Sequence, residues 1–193
     1  MKHTKKIRKC ILLAFLLLCL PMVANAQRFT VSTNALSWAA LGTINAEGSY
    51  SLNQNFSVNL GGAANPWKAS SPTGVTLQNK QYGGYLGIKY WPWHVYSEWW
   101  INVKLQYKNF EHTGLLTQQL VTGDALGAGL SAGYSFMLSN RFNLDIGAGL
   151  WGGRLIKYTK YQGNNPTETE IAEQGPKSFF FPDNMILSLI YIF

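Results

Sequence analysis

Residues 99–108 read Trp99-Trp100-Ile101-Asn102-Val103-Lys104-Leu105-Gln106-Tyr107-Lys108. Trp99, Ile101, Val103, Leu105 and Tyr107 share one parity, and Trp100, Asn102, Lys104, Gln106 and Lys108 share the other. Side chains of a β-strand point alternately to its two faces, so this stretch is a strand with one apolar and one polar side. A helix would repeat its apolar residues every three to four positions, and no run of ten or more residues here does so. The same alternation returns in residues 126–138, where Leu126, Leu130, Tyr134 and Phe136 alternate with Gly127, Gly129, Ser131, Gly133 and Ser135. It returns again from Phe142 to Trp151, from Phe56 to Gly61 and from Ile44 to Leu52.

Extended along the chain, the pattern predicts eight strands at 29–37, 43–52, 55–64, 81–91, 98–110, 124–138, 141–158 and 183–193. Their connections alternate in length. Residues 38–42, 65–80, 111–123 and 159–182 form a mostly long set, and 53–54, 92–97 and 139–140 a short one. An even number of strands with long connections at one end and tight turns at the other is the pattern of an antiparallel up-and-down barrel that crosses a membrane. Only 13% of residues are charged while 14% are aromatic, which is the reverse of the balance in a disordered chain.

The first 26 residues read as an address. Lys2, Lys5, Lys6, Arg8 and Lys9 make a positive segment, Ile11 to Leu20 an apolar run, and Ala24-Asn25-Ala26 a small-residue cleavage site before Gln27. The apolar run falls short of the about 20 residues a spanning helix needs. Residues 1–26 are therefore expected to be a Sec-type signal peptide and 27–193 a single outer-membrane β-barrel. Both cysteines, Cys10 and Cys19, lie in the leader. Leu18 before Cys19 does not fit a lipoprotein signal, which wants a small residue there. The mature chain then has no disulfide, thiolate nucleophile or thiolate metal site. Its 11 basic residues face nine acidic ones, a net of +2 that gives no reason to expect a nucleic-acid partner.

Alternation alone does not say which face is wet, because a soluble barrel buries its apolar side and a membrane barrel its polar one. Three features favour the membrane. Leu187, Leu189, Tyr191 and Phe193 alternate to an aromatic end, a pattern similar to the signal read by barrel-insertion machinery. Trp38, Trp67, Trp91, Trp93, Trp99 and Trp100 cluster near expected strand ends, where indole rings form girdles at the lipid headgroups. The polar face carries Glu47, Lys89, Lys104, Lys108 and Asp145. Eight strands leave a lumen just wide enough for side chains, where opposite charges must pair. Glu47, Lys104 and Asp145 are expected to meet there. Inward glycines, among them Gly61, Gly129, Gly133 and Gly147, would make room for Tyr85, Trp100 and Trp151.

Several motifs together resemble a family of functionally uncharacterised outer-membrane β-barrels from gut and oral anaerobic Gram-negative bacteria. They are Thr33-Asn34-Ala35-Leu36, Asn65-Pro66-Trp67, Leu138-Ser139-Asn140-Arg141-Phe142-Asn143-Leu144, Gly147-Ala148-Gly149-Leu150 and Ser188-Leu189-Ile190-Tyr191-Ile192-Phe193. Genes of that family often neighbour those of fimbrillin-type adhesins, so the resemblance implies a fimbriae-associated place in the cell envelope. It supplies no catalytic residues. Many relatives carry a cysteine pair in the last long loop, and residues 159–182 have none, so no disulfide or metal role carries over to that loop.

Little enzyme chemistry is encoded. The mature chain has two histidines. His94 falls in a short turn, and His112 follows Glu111, which as a strand neighbour faces the other way. Ser70 and Ser71 would reach His112 only if two loops met. Glu168, Glu170 and Glu173 read as a solvated acidic loop, so no metal, cofactor or catalytic residue is expected. The leading expectation is a non-enzymatic outer-membrane barrel held by lipid, with loops 65–80 and 159–182 contacting a surface-fibre or envelope protein. Two alternatives stand beside it, a barrel enzyme that modifies or hydrolyses outer-membrane lipid and a soluble secreted eight-stranded binding barrel.

Overall fold

The computed structural model describes residues 28–39, 42–66, 68–70, 76–113, 120–161 and 171–193. The signal peptide expected over 1–26 lies outside these residues. The strands are β1 (Phe29–Asn34), β2 (Ile44–Ser51), β3 (Phe56–Asn65), β4 (Lys68–Ser70), β5 (Thr76–Tyr90), β6 (Glu98–Thr113), β7 (Leu120–Met137), β8 (Phe142–Tyr161), β9 (Ile171–Gln174) and β10 (Lys177–Ile192). One short helix, α1 (Ala35–Ala39), follows β1.

Eight of these strands close an antiparallel barrel in the order β10-β1-β2-β3-β5-β6-β7-β8, with β8 pairing back onto β10. Every barrel strand lies beside its neighbour in the chain, so the topology is up-and-down. The short strands extend it at one end, β4 pairing with β5 and β9 with β8. Closure pairs both edges of the ladder, except along 178–184 of β10, where no described strand lies on the β1 side.

Two differences from the sequence reading have physical causes. β1 stops at Asn34, and residues 35–37, expected as strand, turn into α1. The Asn34 side chain ends the ladder by standing in for backbone: its Nδ2 donates to the Met185 carbonyl (3.0 Å), and its Oδ1 accepts from the Leu187 N–H (3.2 Å). At the long-connection end, β5, β6, β7, β8 and β10 run up to six residues farther than alternation predicted. The extensions of β5, β6 and β8 are mostly polar, so hydrophobic periodicity does not register them, and ladder hydrogen bonds hold them. That of β10 is apolar on both faces, Phe179 and Phe181 inward and Phe180 outward, and so shows no alternation.

The barrel carries apolar side chains on its outer face and polar ones on its inner face. Val103, Leu105, Leu130 and Ile146 point outward, with Leu105 66% exposed, while Lys104 and Asp145 are 6% and 1% exposed on the inside. Outward aromatic pairs continue this surface, Phe56 with Tyr90 and Trp99 with Tyr134 among them.

Inside, glycine sets how close strands and large rings approach. A Cβ on Gly133 would run into the Ile146 carbonyl and the Trp100 ring, and one on Gly147 would lie 3.0 Å from that ring. Trp100 therefore fits the lumen only because these two positions lack side chains. Gly133→Val is expected to destabilise the barrel by roughly 3 kcal/mol, the upper range for overpacking, because backbone as well as side chain must shift. The urea midpoint of the refolded protein, followed by tryptophan emission, checks this.

Candidate functional site

The lumen is where the polar residues converge. Glu47 on β2 is held through both oxygens. Oε2 accepts from the Tyr85 hydroxyl (2.5 Å) and the Asn59 amide (3.0 Å), and Oε1 from Lys89 Nζ (3.1 Å). Lys89 on β5 also lies 3.6 Å from Asp145 Oδ2 on β8, and so joins two carboxylates from different sides of the barrel. The Trp100 ring covers the same ammonium at 4.8 Å, an additional cation–π contact. The three-membered cluster borders a small cavity of about 80 Å³.

Lys104 departs from expectation. It borders the same cavity but pairs with Asp183 of β10, not with Glu47 or Asp145. Gln106 Nε2 also donates to Asp183, at 3.4 Å. By simple alternation with Met185, Leu187 and Leu189, Asp183 would face outward. A register shift between Pro182 and Met185 turns it into the lumen, as a β-bulge does. Asp183 was therefore missed in the sequence, and Pro182 inside a strand was the available signal. Lys108 stands two inward positions beyond Lys104, half-buried, and lines a cavity of about 110 Å³ with Gln81 and Gln106.

The short-turn end is sealed. Trp91, Val95, Tyr96 and Trp100 pack with Ile190 and Ile192 into an apolar plug. Tyr96 adopts φ 66°, a left-handed conformation that turns its ring into the barrel mouth. Its carbonyl accepts from Asn143 Nδ2 at 2.5 Å and its hydroxyl donates to the Arg28 carbonyl at 3.1 Å. Burial pushes the Tyr96 phenol pKa up.

The plug corrects the aromatic girdle at two positions. Trp91 and Trp100 are each 1% exposed and face the lumen, so proximity to a strand end misassigned both to the girdle, while the inward place expected for Trp100 beside glycines holds. Parity places both: Trp91 shares the inner face of Lys89, and Trp100 that of Asn102. Trp38, Trp93 and Trp99 are exposed, and Trp67 lies outside the described residues. Along β10, Leu189 and Phe193 are exposed on the outer face. Leu187 and Tyr191 share that parity, and the Tyr191 ring contacts Phe142 and Phe193. Ile190 and Ile192 enter the plug.

The backbone places the candidate enzyme groups on separate elements. His94 is exposed in the turn, with Nδ1 3.1 Å from the Val95 carbonyl. In the ladder Glu111 pairs with Thr122, and His112 with Val121. Ser70 lies on β4, while Ser71, Glu168 and Glu170 fall outside the described residues. Among the described residues no three His, Cys, Asp or Glu side chains gather as metal ligands. What the interior offers is a set of mutually paired charges between an apolar plug and the long-connection end. That arrangement stiffens a tube.

No curated protein matches the chain. A family model described as a protein of unknown function, DUF3575, matches residues 11–193. The match covers nearly all of a chain whose described residues close into a small eight-stranded barrel, and the protein belongs to this DUF3575 family.

Proposed function

We propose that this protein is a small outer-membrane β-barrel without enzymatic activity, anchored by its outer face, stiffened by its packed lumen, and recognising an envelope or surface-fibre partner through its outer loops. The observation that carries the reading is the outer wall. Leu60, Leu86, Leu105, Leu130 and Leu150 are all exposed, on strands whose opposite face buries Lys89, Lys104 and Asp145. Contiguous exposed apolar surface on this scale is rare on soluble monomers and is the normal surface of a barrel in lipid.

The interaction role rests on the long-connection end. There β4 with β5, and β9 with β8, continue the ladders beyond the apolar belt. The connections these strands carry, within 65–80 and 159–182, are the proposed contact region, because loops on a rigid scaffold are where recognition concentrates.

Alkaline carbonate washing of membranes from a Gram-negative host tests the anchoring. The protein is expected to stay in the pellet and to need detergent for release. Appearance in the carbonate wash overturns the reading. Purification in mild detergent tests the loop role: an envelope protein is expected to remain with the wild type and to be lost when residues 162–170 are excised.

A further inference from the structure

The barrel wall is uneven. β1 has six residues, fewer than the about 9–11 that a tilted strand needs to cross a bilayer. Its ladder with β10 ends at Asn34 opposite Ser188. β10 continues for another eleven residues, to Lys177, paired with β8. Among the described residues no strand pairs with 178–184 of β10 on the β1 side. At that corner α1 turns Ser37 toward the lumen cavities and leaves Leu36 and Trp38 exposed.

Exposure along β10 marks where the wall is missing. Phe181 lies opposite Trp151, which is buried, so both are on the inner face. Phe181 is nevertheless 57% exposed. Its inner-face neighbours are better covered on both sides: the Asp183 side chain is 5% exposed, and Phe179 is half-buried against Trp151 at 4.4 Å. An opening at the barrel's end would expose Phe179 more than Phe181. The reverse order requires an opening through the side.

The height of this opening fits its surroundings. On the outer face of β8, opposite 182 and 178 of β10, the apolar Leu150 gives way to Arg154. The gap therefore sits at the outer rim of the apolar belt. An unpaired backbone edge deep in hydrocarbon would be prohibitive, but at the headgroup boundary water can satisfy it.

We propose that the gap between β10 and the β1–α1 corner is a lateral window, and that an acyl chain of an outer-leaflet lipid enters it to lie against Phe181, Phe179 and Trp151. This rests on the membrane reading above. A partner strand is the other occupant an open edge invites, and the edge is built against it. Pro182 has no N–H to donate, the register shift beside it breaks a regular ladder, and Asn34 already holds the Met185 carbonyl and the Leu187 N–H. An acyl chain needs none of these hydrogen bonds. Stacked Phe179 and Phe181 (5.8 Å, interplanar angle 17°) offer it a flat apolar wall.

The test places p-benzoylphenylalanine singly at three positions in the full chain, irradiates living cells and reads the purified protein by mass. At Leu150 on the outer belt and at Phe181 in the window, the adduct is expected to be lipid. At Trp100, sealed inside, no lipid is expected. Lipid at Leu150 but not at Phe181 overturns the window and leaves the membrane reading standing, as does a protein adduct at Phe181. Lipid at Trp100 as well shows non-selective labelling and also overturns the window. No lipid at Leu150 overturns the membrane reading, and the window with it. Should a substituted chain fail to assemble, the wild type gives the same information. A diazirine-bearing fatty acid fed to cells is expected to label Phe179 or Phe181, and label confined to outward residues overturns the proposal.

Discussion

Leu130→Arg is expected to lower the stability of the barrel in phosphatidylcholine vesicles by about 2–4 kcal/mol, the cost of an arginine on the lipid face near the bilayer midplane. Leu130 lies between Val103 of β6 and Leu150 of β7's other neighbour, β8. All three are exposed and outward. Along β7, Tyr134 and Phe136 mark one rim of the belt and Leu126 approaches the other, so Leu130 is near its middle. The substitution removes no interior contact and breaks no ladder bond. On a water-bathed surface such a change is worth no more than about ±0.5 kcal/mol. The same arginine at Asn140, exposed in the short turn after β7, is expected to be near neutral in either setting. A urea midpoint for Leu130→Arg that matches the wild type, in vesicles that hold the folded protein, rules out an apolar solvent around this wall.

The second large effect lies inside. Lys89→Met keeps most of the side chain's volume but removes the charge that joins Glu47 and Asp145. Two buried carboxylates then share one lumen without a cation between them. Breaking a buried pair by deleting one partner costs about 3–5 kcal/mol, because the remaining charge stays desolvated. Adding Glu47→Gln and Asp145→Asn to Lys89→Met is expected to recover most of that loss, since the triple variant buries no unpaired charge at this level. Lys108→Met is the control: Lys108 makes no ion pair among the described residues, and its replacement is expected to cost less than about 1 kcal/mol. Recovery by the triple variant separates a charge effect from lost packing. If the triple variant is no more stable than Lys89→Met alone, the cluster is not held by its charges.

Both predictions use features that alternation revealed, and both depend on contacts that it left open. The parity of Val103 and Lys104 was legible because neighbouring strand residues must face opposite ways whatever the environment. The partner of Lys104 was not legible. Asp183 sits behind a register shift at Pro182, and one extra residue inverts every assignment beyond it. The tryptophans show the same limit. Distance from a strand end suggested a lipid girdle for Trp91 and Trp100, while the plug of Tyr96, Ile190 and Ile192 gathers residues from distant strands that only barrel closure brings together. Likewise, Asn34 carries no sign in the sequence that its amide will end one ladder and bind a strand 151 residues away.

By itself the sequence determined the local facts: strands rather than helices, two unlike faces on each, long and short connections in alternation, and Glu47, Lys89, Lys104, Lys108 and Asp145 on the polar one. These follow from period-two geometry and residue chemistry, which act over a few neighbours. The register at which β8 closes onto β10, the pairing of Lys89 with two carboxylates and Lys104 with a third, the plug, and the short β1 wall that leaves Phe181 uncovered were decided only by tertiary structure. Each depends on relative register between strands far apart in the chain, and register is settled by the sum of contacts around the whole cylinder.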